Sequence, residues 1–267
     1  MRRLLTFTCE GAELGATLDA GAGETGLVLV TGGSQTRVGS HRMYERLAIA
    51  LAMRGITCLR FDRRGVGDSA GEDPGFRGSG PDLAAAAALL RAECPTLQHV
   101  HGFGLCDGAT AIALFGDQAG LDGLILVNPW LVEAEAGEPA PAAIRHHYRQ
   151  QLSSLAGWKK ILSGAVDYRK LFRGIMKISG HQPISSLARE TADSLSRHRL
   201  SVQLILATGD ATAIAAENEL ESPHLRRLAN DPQRIDTDSH TFARPGDEAA
   251  LVEAVLHALG RLGAQAS

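Results

Sequence analysis

Cysteine is scarce in this 267-residue chain: Cys9, Cys58, Cys94 and Cys106 are all there are, and no two form a C-x-x-C pair. That spacing removes zinc-ribbon and thioredoxin-type readings and leaves free thiols, as expected of a protein in the reducing cytoplasm. Aromatic residues reach only 4%, too few for a surface that stacks bases. The formal net charge is −3, so no overall field draws the chain to nucleic acid or to an anionic membrane. No apolar run approaches the roughly 18 residues of a membrane-spanning helix. The opening MRRLLTFTCEGAEL has two arginines but too short an apolar stretch for a secretory leader, and it reads as a first strand. The glycine-rich GVGDS is followed by no G-K-[ST], which excludes a phosphate loop. No internal repeat, nicotinamide fingerprint or metal-ligand cluster stands out, and no cofactor is expected.

Hydrophobic residues make up 44% and charged residues 21%, enough for one α/β domain with a sizeable core and an insertion. Short apolar runs ended by glycine or polar turns recur: GLVLVTGG (26–33), ITCLRFD (56–62), QHVHGFGLC (98–106), LDGLILVNP (121–129), SVQLILATGD (201–210) and the brief RIDTDSH (234–240). Between them lie helical patterns. HRMYERLAIALAMRG puts Met43, Leu47, Ala50 and Leu51 on one face and closes on glycine. An alanine-rich helix opens at Pro81 and Asp82, and ATAIALFG and GDEAALVEAVLHALGRL follow later. Such alternation predicts right-handed crossovers and a mostly parallel sheet with helices on both faces. LLTFTCEGAELGATLDAG reads as an antiparallel leading hairpin. Strand signal vanishes between 131 and 199, so residues 1–130 and 200–267 are expected to form the core and 131–199 a helical cap insertion.

Open α/β sheets carry their sites at the carboxyl ends of the strands, and four chemically capable elements fall at such ends here. Cys106 follows GFGL, with Gly104 and Gly108 two positions to either side. That frame lets a strand turn sharply into a helix with the nucleophile at the apex. The N-terminus of the helix that follows favours a thiolate. Asp210 follows VQLILATG, His240 follows RIDTDS, and Gly33 closes the loop after LVLVT. A histidine takes the thiol proton and a carboxylate fixes its tautomer. Cys106, His240 and Asp210 are therefore the expected nucleophile, base and acid, with the backbone N–H groups of Gly33 and Asp107 as oxyanion donors. A buried structural cysteine is the plain alternative for Cys106, and the glycine frame with its partners outweighs it. Asp238 ranks second as the acid, because residues two apart on an extended segment orient one another poorly. Asp210 can also cap the helix it precedes. His101 reads as a core or rim histidine, and Asp62 and Arg64 as braces of the turn. His41 and Arg37 fit the site mouth or a solvated helix start equally.

The motifs VTGGS, FDRRGVGDSAG, GLCDG, ATGD and DSHTF together resemble the α/β-hydrolase pattern over most of the chain. GGSQTRVGSHR and GLCDGA are similar in particular to the exosortase A system-associated hydrolase group. The resemblance implies the α/β-hydrolase fold and cleavage of an acyl ester or thioester through a covalent acyl-enzyme. It also implies a bacterial setting of exopolysaccharide and protein sorting, in which acyl-carrier proteins occur. Two departures stand out: cysteine in place of serine, and Thr31 where the oxyanion loop often has histidine.

Between 142 and 180 the insertion holds eight Lys or Arg against Asp167 alone. That is a local excess of seven positive charges, which leaves −10 on the rest. A cap apolar beneath and basic at its rim suits a small-molecule acyl substrate carried on coenzyme A or an acyl carrier protein. Transfer of the acyl group to an acceptor other than water is the alternative within enzymes. A non-catalytic binding protein on a hydrolase fold is the alternative outside them.

Overall fold

The computed structural model describes residues 1–132, 184–198, 200–222, 225–226 and 231–266. Eight strands form one sheet: β1 (Arg2–Cys9), β2 (Ala12–Asp19), β3 (Thr25–Val30), β4 (Thr57–Phe61), β5 (His99–Leu105), β6 (Gly123–Val127), β7 (Ser201–Ala207) and β8 (Gln233–Ile235). Their spatial order is β1-β2-β4-β3-β5-β6-β7-β8. The hairpin β1–β2 is antiparallel, β2 meets β4 antiparallel, and every later pairing is parallel. The expected leading hairpin and parallel body are both present.

The central strands β3, β4, β5 and β6 are buried on both faces because both are covered. On β3, Val28 and Val30 face one core with α2 (Gly80–Glu93), α3 (Asp107–Phe115), α4 (Ser186–His198) and α5 (Ala211–Leu220). Leu27 and Leu29 face the other, with α1 (Met43–Ala52) and α6 (Asp247–Ala266). The period-2 alternation of a strand thus divides its side chains between two cores.

α1 starts at Met43, the first residue of its apolar face and two residues into the segment HRMYERLAIALAMRG, because His41 and Arg42 hold left-handed backbone, φ 53° and 61°. Most of the segment expected to form a cap, residues 133–183 with their basic side chains, lies outside the described residues. Its far end is α4, which packs against α3 and buries Leu187, Ala188, Ala192 and Leu195. Among the described residues no helix is long and apolar enough to cross a membrane.

Candidate active site

The turn from β5 into α3 carries Cys106 at φ 60°, ψ −127°, a strained conformation for a residue with a side chain. The structure shows how it is held. Cys106 N–H donates to the Val127 carbonyl at the end of β6 (3.0 Å). Its carbonyl accepts from Ala109 and Thr110 in α3 and from Trp130 beyond β6, all within 3.2 Å. The flanking glycines are required by contact. A Cβ on Gly104 would lie 2.5 Å from the Gly108 backbone, and one on Gly108 would lie 2.6 Å from the Val30 carbonyl oxygen. Strand, turn and helix pass too closely for any side chain there.

His240 comes from the loop after β8 and reaches the same point. Its Nδ1 faces Asp210 Oδ2 at 3.1 Å. An ionised carboxylate can only accept, so Nδ1–H donates to Asp210 and Nε2 is the ring nitrogen open to Cys106. Hydrogen bonds to Asp210 and then to Cys106 raise the ring from an ordinary 6.5 to about 10, against a smaller opposing effect of burial. Asp210 is 5% exposed, and the same Oδ2 accepts the Ala213 N–H at 3.0 Å, capping α5. Asp238, the second-ranked acid, instead pairs with Arg244 on the surface.

Gly33 lies beside the elbow at φ 57°. Its N–H donates to Asp107 Oδ1 at 2.6 Å, so in this structure the donor expected for an oxyanion is capped by the side-chain carboxylate of the residue after Cys106. Sequence reasoning chose Asp107 for its backbone and overlooked its side chain. It also overlooked Arg63, whose Nη2 donates to the Gly33 carbonyl. The strand end before Asp210's, set aside as a source of the acid, holds Asn128. That residue is fully buried at φ 42°, and its Oδ1 accepts the Ala207 N–H at 2.8 Å, joining the ends of β6 and β7 below Cys106 and Asp210. Thr31 ties the loop after β3 together by donating from Oγ1 to the Gln35 carbonyl at 2.9 Å.

The other candidates separate from the site. Asp62, fully buried, accepts from Arg37 and from the Asp68 N–H at 3.1 Å, while Arg64 joins Asp82 and Glu10. Arg37 thereby serves as a brace and leaves the site mouth, and His41 is exposed. His101 is buried on β5, where loss of water lowers its ring to about 4, and its Nδ1 has no hydrogen-bond partner among the described residues. Cys9 and Cys58 are buried. Among the described residues no three His, Cys, Asp or Glu side chains converge as metal ligands. A groove of about 300 Å³ lined by Met1, Arg2, Asp19, Ile49 and Met53 lies at the amino ends of the parallel strands, remote from Cys106.

A family model described as "Serine aminopeptidase, S33" matches residues 26–222. XC6422 from Xanthomonas campestris, described as an α/β serine hydrolase without a lid, superposes with a TM-score of 0.60 at 21% identity, over 97% of this chain and 94% of that one. Est1E from Butyrivibrio proteoclasticus, solved with ferulic acid, gives 0.63 at 15% identity, over 97% and 99%. The thioesterase domain from the curacin biosynthetic pathway gives 0.57 at 13% identity, over 96% and 99%. No curated protein matches the chain. At these identities the likeness to solved structures is one of fold.

Proposed function

The chain belongs to the serine aminopeptidase S33 family of α/β-hydrolases, and on that footing we propose that it cleaves acyl esters or thioesters with Cys106 as nucleophile, His240 as base and Asp210 as orienting acid. The observation that carries this is the Asp210–His240 hydrogen bond, with a ring whose proton affinity Cys106 also raises, beside Cys106 at the apex of a strained turn. Cys106 sulfur attacks the acyl carbon with its proton held on His240 Nε2, where the raised ring keeps it. The tetrahedral intermediate puts its anionic oxygen against the N–H groups of Gly33 and Asp107. Collapse breaks the bond to the alcohol or thiol, which leaves with the ring's proton. Water then attacks the acyl-enzyme, His240 takes a proton and returns it to sulfur, and the carboxylic acid departs.

A cysteine nucleophile passes through a thioester intermediate, so exchange with a thioester substrate is close to balanced in energy. This supports an acyl group borne on coenzyme A or on a carrier protein's phosphopantetheine, as the exosortase-associated resemblance suggests, in the cytoplasm, where the thiol stays reduced. The basic stretch between 142 and 180 would meet the carrier's charge. If so, the rate with a phosphorylated carrier falls with added salt more steeply than with a neutral thioester of the same acyl group. Equal salt dependence argues for an uncharged donor. The test of the chemistry is intact-mass spectrometry after brief mixing with a panel of thioesters and activated esters. An acyl adduct should appear on the wild type and vanish in Cys106→Ala. No adduct and no turnover with any donor would argue for a binding protein instead.

A further inference from the structure

Two arginine side chains are buried among the described residues, Arg60 and Arg63. Arg60 is well answered. Its Nε and Nη2 donate to Asp19 at 3.2 and 2.9 Å, and its Nη1 to the Arg37 carbonyl at 3.0 Å. Arg63 is not. At 3% exposure its Nη2 donates to the Gly33 carbonyl, the Asp73 carboxylate comes no closer than 3.7 Å, and Nε and Nη1 have no hydrogen-bond partner among the described residues. A guanidinium with open N–H groups is costly to bury, and an apolar side chain of similar volume would serve packing alone better. Such a group calls for a reason beyond packing.

The bond it does make supplies one. Gly33 sits in left-handed backbone in a loop with two successive glycines, a stretch with more conformational freedom than its neighbours. The structure pins it from two sides: Asp107 holds its N–H and Arg63 its carbonyl. When the acyl oxygen becomes an anion it must take the Gly33 N–H from the Asp107 carboxylate, and that pin is then withdrawn. We propose that Arg63 is a positioning residue for the oxyanion loop. It keeps Gly33 in place while the N–H changes partner, and its under-answered charge, in a water-poor setting, makes the loop's surroundings favour a negative oxygen. This rests on the acyl-transfer reading of Cys106 given above.

The test separates two reactions of the same sulfur. Alkylation of Cys106 by iodoacetamide, followed on the peptide that contains it, needs the nucleophile and no oxyanion donor. Single-turnover acylation by a p-nitrophenyl ester needs both. Arg63→Met should acylate about 10- to 100-fold more slowly, with alkylation within twofold of wild type and the half-saturating ester concentration unchanged. Arg63→Lys, which restores a cation and a donor, should regain most of the loss. Acylation by Arg63→Met within threefold of wild type would overturn the proposal. So would a parallel fall in alkylation, which would mean that the elbow itself had deformed. Should the methionine variant not fold, Arg63→Gln keeps a donor without the charge, and the same comparison and the same threefold limit apply to it. A wild-type protein that alkylates at Cys106 yet never acylates would remove the reaction, and the proposal with it. That outcome is recognised before any Arg63 variant is made.

Discussion

Asp210 serves two partners through one oxygen, Oδ2, which accepts both from Ala213 in α5 and from His240. The helix cap fixes the carboxylate, and the fixed carboxylate fixes the ring, so capping and orientation are one arrangement. Asp210→Asn keeps the shape but can present an N–H to Nδ1 and reverse the tautomer. Turnover should fall by about 10²- to 10⁴-fold, measured as kcat/KM on a reactive ester, while Asp238→Asn should stay near wild type. The pH profile follows from the ring. With its proton retained up to about 10, His240 can protonate the leaving group throughout the neutral range. Turnover should therefore decline as pH rises through about 10, whereas alkylation of Cys106, which needs only a nucleophilic sulfur, should not. A rate profile in which both fall together would place the limiting proton elsewhere. Removing the Asp210 charge removes the main cause of the raised value, so in Asp210→Asn the decline should begin at lower pH.

The element that the sequence declared most openly is the elbow, because its glycines do a job no other residue can do. The structure gives the reason as two close passages, Gly104 against Gly108 and Gly108 against the Val30 carbonyl. Gly108→Ala must push α3 away from β3. The expected cost is about 1–3 kcal/mol in denaturant unfolding, with acylation reduced more than tenfold because the nucleophile moves with the helix. Strands were legible from their runs of apolar residues, and the order Cys106, Asp210, His240 from the strand ends. Less legible were contacts that depend on which way a side chain turns. Arg63 and Arg64 are neighbours in RRG, yet one reaches Gly33 and the other the buried carboxylate of Asp82, at 2.6 Å. Nothing in their spacing separates those fates. Asp82 itself reads as a first-turn helix residue. In three dimensions it accepts from Arg64 and from Cys9 Sγ with no exposure to water. Asp82→Ala leaves Arg64 with Glu10 and the Gly78 carbonyl and removes the acceptor of its Nε; it should destabilise the fold by about 1–3 kcal/mol, seen as a lower denaturation midpoint, with little change in the specific activity of what remains folded.

On the scale of the molecule, the site draws on three strand ends that lie next to or near one another in the sheet but far apart in the chain. The same His240 contacts that shape reactivity also tie stability to pH. A ring raised in the folded state contributes stability that is fully present below its ordinary 6.5 and is lost as pH rises through about 10. The gap in melting temperature between wild type and Asp210→Asn should accordingly narrow from pH 6 to pH 10. β8, which delivers His240, is three residues long and pairs, among the described residues, with β7 alone, whereas β5, which delivers Cys106, is flanked on both sides by β3 and β6. Edge and interior should thus open at different free energies. Amide hydrogen exchange at 233–235 should outrun that of β5 by orders of magnitude. On gentle heating the molecule would then lose His240 from the site before its core. It would pass through a folded, reversibly silent form whose sulfur still takes iodoacetamide but no longer turns over an ester.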